Sequence, residues 1–205
     1  EHVITEQELV NQTRFPDAPL PTDELFVRWT EASAFTPILQ FSYGPWHYAP
    51  ETLAVVRAYA HLHGALGEYL YAAAEEAHRA GTPIVRPLFF HDPADPITYI
   101  VDDAFLLGPD LLVAPVVTEG AATRDVYLPA GAWRDAWTGD AYTGPLKRHA
   151  HPAPCPGIPL FLREDAAWTE TLAAALTPRL RDIPRGAIAS GVTTATYRAT
   201  LRRTI

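Results

Sequence analysis

Asp110 to Val117 reads DLLVAPVV. The run is apolar almost throughout, short, and bounded by Gly108-Pro109 before it and Thr118-Glu119-Gly120 after it. That is the form of a strand buried on both faces. Outward from it, the chain repeats the pattern: IVRPLFF (Ile84–Phe90) and ITYIVD (Ile97–Asp102) come before, RDVYLP, WRDAWT and PLFLRE after, with Pro, Gly and Asp between them. Short β-rich runs at this spacing predict an antiparallel β-sandwich over residues 88–166. Its expected core includes Leu106, Leu112, Val113, Val116, Trp133, Leu160 and Phe161.

The texture before Gly81 is helical. TDELFVRWTEASAF has Thr22 or Asp23 as N-cap, acidic residues in its first turn, and Leu25, Phe26, Trp29 and Ala32 at helical spacing. From Pro50 a second periodic segment runs to Gly81, with Leu53, Val56, Tyr59, Ala60, Leu66, Tyr69, Leu70, Ala73 and Ala77 on a broad face. Gly64 and Gly67 mark a break within it and Gly81 its stop. Between the two helical segments FTPILQFSYGPW (Phe35–Trp46) reads as a short strand opening into an aromatic loop. Residues 1–22 are polar and proline-rich. The last section, 167–205, is an Ala-rich helical piece followed by a Thr/Ala/Arg run without core pattern.

The composition narrows the function classes. With 205 residues, 48% of them hydrophobic, the chain can bury a sizeable core. No apolar run approaches the roughly 20 residues of a membrane span and no signal peptide is visible, so a soluble protein is expected. The formal net charge is −8, while arginines 179, 181, 185, 198, 202 and 203 face only Glu170 and Asp182 after residue 168. An acidic body with a basic tail argues against a nucleic-acid groove. A lone Cys155 gives no disulfide, and His61/His63 and His149/His151 lack the further ligands of a metal site, so no metal or cofactor is expected. The sequence contains no methionine, which suggests a piece of a longer product.

Five blocks carry a resemblance: ELFVRWTEASAFTP (Glu24–Pro37), AGTPIVRPLFF (Ala80–Phe90), DDAFLLGPDLLVAPV (Asp102–Val116), LPAGAWRDAWTG (Leu128–Gly139) and IPLFLRE (Ile158–Glu164). Together, over about residues 22–166, they resemble family-31 glycoside hydrolases, the α-glucosidase and α-xylosidase family. The resemblance implies an α/β plus all-β chain: residues 1–87 as the C-terminal part of a (β/α)8 TIM barrel, 88–166 as the proximal β-sandwich, and 167–205 as a basic tail. Thr36–Phe41 would be the last barrel strand. The loop after it would lie at the C-terminal end of the barrel, where such enzymes build their sites.

A retaining glycosidase needs two carboxylates about 5–5.5 Å apart. The family takes both from W-x-D-M and R-x-G-D segments on earlier strands, and neither segment occurs here. The family's D-x-G-G segment is also missing, and R-x-H is replaced by Gln40 and Ser42. No catalytic residue is therefore assigned, and the chain alone is expected to be inactive. Gln40, Ser42, Tyr43 and Trp46 are the candidate substrate-binding residues, since an amide, a hydroxyl and flat rings suit a sugar. Each has a plainer reading: Gln40 satisfying backbone at a strand end, Tyr43 and Trp46 packing the rim. Asp102, Asp103, Asp140 and Asp165 read as turn formers. Arg86 reads as a buried ion-pair or carbonyl-binding residue. The implied partners are a carbohydrate substrate and a missing N-terminal barrel portion acting in trans. The competing reading is a non-enzymatic β-sandwich module that binds carbohydrate or protein.

Overall fold

The computed structural model describes residues 20–185 and residue 188. Readings that fall on residues 1–19 and on the end of the basic tail lie outside the described residues. Four helices, α1 (Asp23–Ser33), α2 (Pro50–Ala65), α3 (Gly67–Ala80) and α4 (Thr169–Asp182), flank a sheet of six strands. The strands are β1 (Val85–Arg86), β2 (Phe105–Leu107), β3 (Leu111–Val113), β4 (Thr123–Asp135), β5 (Ala141–Pro152) and β6 (Leu160–Arg163). All neighbours pair antiparallel, in the order β1-β2-β3-β6-β4-β5.

The helix ends follow their residues. Thr22 Oγ1 accepts the Leu25 N–H at 3.2 Å, capping α1. The long segment breaks at Leu66, between Gly64 and Gly67, and α3 stops at Gly81 with φ +72°, a left-handed cap suited to glycine.

Period-two alternation sends neighbouring side chains to opposite faces of the sheet. Leu107, Leu111, Val113, Leu160 and Leu162 join Val55, Tyr59 and Leu62 of α2 and Leu172, Leu176 and Leu180 of α4 in one core. Leu106, Leu112 and Phe161 point the other way, into a second core with Leu88, Val126, Leu128 and Trp133. All seven expected core residues are buried. The strands form one continuous sheet: β4 pairs with β5 for most of its length and with β6 only at Trp133–Asp135. The first core crosses the 87/88 border, because α1, α2 and α4 pack on the same face of the sheet.

Several strand readings are corrected. Only Val85–Arg86 of IVRPLFF is strand; Pro87 has no N–H to donate and Leu88–Phe90 turn into a 3₁₀ helix. Pro96–Tyr99 is also 3₁₀, capped by Asp95 accepting the Ile97 N–H at 2.9 Å. RDVYLP and the first three residues of WRDAWT lie in one 13-residue strand, interrupted by register shifts, and Ala136–Thr138 are turn. Its partner β5, not anticipated from the sequence, is polar and carries Pro145, which an edge strand tolerates. Thr36–Phe41 is not a strand. No described strand lies beside it, Pro37 cannot donate, and Thr36 Oγ1 instead donates to Ser33 O and Ile38 O.

One contact fastens α3 to the β2–β3 turn. Tyr69 Oη donates to Leu107 O at 2.7 Å and accepts the Asp110 N–H at 3.1 Å. The ring lies against Gly108, whose φ of +57° and lack of a Cβ make room for it. Tyr69→Phe, which removes both bonds and leaves buried backbone groups unpaired, is expected to cost about 1–3 kcal/mol in urea unfolding. Gly108→Ala is expected to cost more, because a methyl group there meets the Tyr69 ring and adds left-handed strain; a smaller loss than for Tyr69→Phe would contradict this packing.

Candidate functional site

The loop after α1 is held by an aromatic cluster. Phe26 and Tyr48 stack at 4.1 Å between ring centroids, Val56 of α2 completes the buried group, and Phe41 and Tyr43 pack on it. Tyr43 is thus half-buried packing as well as loop wall. Gln40 and Ser42 are exposed, and Trp46, in the 3₁₀ turn Pro45–His47, is 43% exposed. The four candidate residues are therefore carried on one short loop, three of them open to solvent and Tyr43 partly so. Below them, Asp23 accepts a 2.6 Å hydrogen bond from Thr52, which joins the start of α1 to α2.

The sequence reading missed the charged face of α1. Leu25 and Trp29, expected inside, are 43% and 57% exposed, whereas Glu24, Arg28 and Glu31 are buried. Arg28 Nη1 donates to Glu31 Oε2 at 3.0 Å and to Gly157 O at 3.0 Å; Nη2 donates to Ala121 O at 3.0 Å and Ala153 O at 2.9 Å. Glu24 accepts the Gly120 N–H at 2.9 Å and Glu31 accepts the Gly157 N–H at 2.7 Å. A single guanidinium and two carboxylates thus satisfy the backbone of two sheet-side loops. The available signal was the 24/28/31 spacing, which places all three on one helical face.

Burial pushes the Glu31 carboxyl above its ordinary range, against the pull of Arg28. A buried, raised carboxyl beside a second carboxylate has the outline of a glycosidase acid, but both groups are committed to Arg28 and to loop N–H groups. The other buried carboxylates are structural as well: Asp23 holds Thr52, and Asp135 holds the Trp137 and Thr138 N–H groups and His151. Burial raises Asp110 while Arg163 and Arg86 oppose it. Arg86 bonds Glu76 at 3.0 Å and Pro83 O at 2.7 Å, as its place in an apolar run suggested. His149 meets Asp125 at 2.9 Å, away from the His151–Asp135 pair. Among the described residues no group of three His, Cys, Asp or Glu is placed to hold a metal, and no helix is long and apolar enough to cross a membrane.

The described residues thus form an antiparallel β domain fastened to helices, with an aromatic-rich loop at the helical end and its buried carboxylates committed to structure. Residues 81–167 match the glycosyl hydrolase family 31 C-terminal domain, and this part of the chain belongs to that family. It is 47% identical over 119 residues to mouse myogenesis-regulating glycosidase, covering 58% of this chain and 17% of the relative. It is 34% identical over 151 residues to alpha-glucosidase 2 of Bacillus thermoamyloliquefaciens, covering 70% and 19%. In structure it is similar to a GH31 alpha-xylosidase from a soil metagenome complexed with xylose, with TM-score 0.67 and 30% identity over 75% of this chain and 26% of that one. The chain therefore spans about a sixth to a quarter of the length of these proteins.

Arg28→Met is expected to destabilise the protein by about 3–5 kcal/mol, because it leaves the Glu31 carboxylate and three carbonyls without their donor and the buried Glu24 without its neighbouring cation. Chemical denaturation measures this, and a loss below about 1 kcal/mol would show the network to be incidental. A pH effect is expected at His151. Burial holds this imidazole below its ordinary value near 6.5; Asp135 pulls the other way, and Arg148 and Arg124 reinforce the burial. The unfolded chain binds the proton first, so stability should fall as pH drops from 6.5 toward the folded value. The difference in stability between wild type and His151→Gln, followed from pH 8 to about 5, should shrink or reverse as the pH falls.

Proposed function

We propose that this chain is the closing part of a family-31 catalytic barrel together with the β domain that follows it, from a retaining enzyme that hydrolyses α-glucosides or α-xylosides. In this reading residues 1–87 belong to the barrel, 88–166 to the proximal β domain and 167–205 to a tail. The observation that carries it is the exposed apolar side of the helical part. Leu25, Trp29, Ile38 and Tyr71 are 43%, 57%, 77% and 68% exposed, far more than large apolar side chains of a finished core. Beside them residues 36–41 run without strand partners. A barrel's other strands and helices supply both missing partners, since every barrel strand pairs on two sides and is covered by helices. The relatives' glucosidase and xylosidase names support the substrate class.

The catalytic aspartates then come from outside this chain, in the W-x-D-M and R-x-G-D segments of the family. Gln40, Ser42, Tyr43 and Trp46 form a lip that binds sugar: Gln40 and Ser42 by hydrogen bonds, Trp46 by its ring, Tyr43 by holding the loop on the Phe26–Tyr48 stack. None of the four supplies a proton or a nucleophile near neutrality.

The pure chain is expected to turn over neither an α-glucoside nor an α-xyloside, and to gain turnover when mixed with a polypeptide carrying the earlier barrel strands. Activity of the pure chain that disappears on mutating one of its own Asp or Glu residues would overturn this. In the whole enzyme, Trp46→Ala is expected to lower kcat/KM by about tenfold, the loss of about 1.4 kcal/mol of binding, with the pH profile unchanged. Unaltered kinetics with a lower Tm would show that Trp46 only packs the rim, and a shifted pH optimum would show that the loop takes part in proton transfer.

A further inference from the structure

A cavity of about 570 Å³ opens between the end of the β4–β5 ribbon, the proline-rich loop 152–158 and the turn at Gly120. Its size is that of a small-molecule site. Its apolar wall is made by Trp137, Tyr142 and the loop prolines, and Arg148, Arg185, Asp135 and His151 contribute polar groups.

Most of those polar groups are already committed. One Asp135 oxygen accepts the Trp137 N–H at 2.7 Å and the Thr138 N–H at 3.2 Å, and the other faces His151 Nε2 at 3.3 Å. Trp137 Nε1 donates to Ile158 O at 2.7 Å. Glu24, at the cavity's end, holds the Gly120 N–H. The two arginines differ from these. The Arg148 guanidinium lies 5.8 Å from the centre of the Tyr142 ring and that of Arg185 lies 5.7 Å from the Trp137 ring. Neither has a carboxylate partner among the described residues. A guanidinium held over a ring at this distance by cation–π attraction spends no N–H group on a carboxylate and keeps its donors for a planar or tetrahedral anion. The one uncommitted carboxylate in the lining is Asp140, exposed at the rim, so two free cations face one free anion.

We propose that this cavity binds a small anionic ligand of about the size of one sugar ring, its carboxylate or phosphate held by Arg148 and Arg185 and its ring against Trp137 and Tyr142. The charge selects the anion and the aromatic-proline wall accepts the ring.

Titration of the isotopically labelled chain with glucuronate, glucose 6-phosphate and glucose, followed by NMR, tests this. The expected result is saturable binding of at least one of the two acids, with shifts at Trp137 and Tyr142, and binding of glucose at least about tenfold weaker. Preference between the acids tells a carboxylate site from a phosphate site. Replacing both arginines, Arg148→Gln with Arg185→Gln, should weaken the acid by about tenfold or more while the amide spectrum stays folded, since both side chains are exposed. Glucose binding as tightly as the acids, undiminished binding to the double variant, or no saturable binding of either acid would overturn the proposal.

Discussion

The buried Arg28 guanidinium joins the two halves of this molecule. Four hydrogen bonds run from it, three to carbonyls at Ala121, Ala153 and Gly157, more than 90 residues away in sequence. A desolvated arginine is unfavourable unless every part of its charge is answered, so the loops must come to it in one arrangement. Glu24 and Glu31 extend the demand, each taking a glycine N–H from the same loops. Apolar contact between α2, α4 and the sheet supplies most of the burial, but it is tolerant of small shifts in a way that charge-assisted hydrogen bonds are not. The position of α1 on the sheet, and with it the loop that α1 leads into, follows from that rigidity.

The sheet was legible where the sequence alternates strongly between turn residues and apolar runs. DLLVAPVV and PLFLRE are short, nearly wholly apolar segments, and each contains a strand with side chains divided between two cores, whereas Phe105–Leu107, not read as a run of its own, forms β2. The break at Leu66, the start at Thr22 and the stop at Gly81 were legible because caps are local chemistry. β5 was not, because an edge strand needs only one buried face and this one is largely polar. ITYIVD misled in the opposite direction: its apolar residues are 3₁₀ turn and surface, with Ile100 76% exposed.

The helical part misled for a deeper reason. Apolar spacing on α1 pointed to Leu25 and Trp29 as core, but in this chain they face outward and the charged residues face inward. A periodic pattern tells which residues prefer burial; it does not tell which partner buries them. The same holds for residues 36–41, strand-like in composition and unpaired in the described structure. The aromatic loop was legible as a unit, whereas Tyr43's packing on the Phe26–Tyr48 stack depends on a helix twenty residues upstream.

The strand order has a consequence for how the chain is made. β6 lies between β3 and β4, yet among the described strands it is the last to leave the ribosome. Until residue 163 has emerged, β3 has a bare edge, the β4–β5 ribbon has nothing to attach it, and both cores lack Leu160, Phe161 and Leu162. Between the emergence of β3 and that of β6 the nascent chain must therefore carry open, apolar strand edges, the state in which β proteins pair with the wrong neighbour. A premature stop a few codons before Leu160 would remove β6 and α4 together and leave those edges permanently open, yielding a product prone to aggregate.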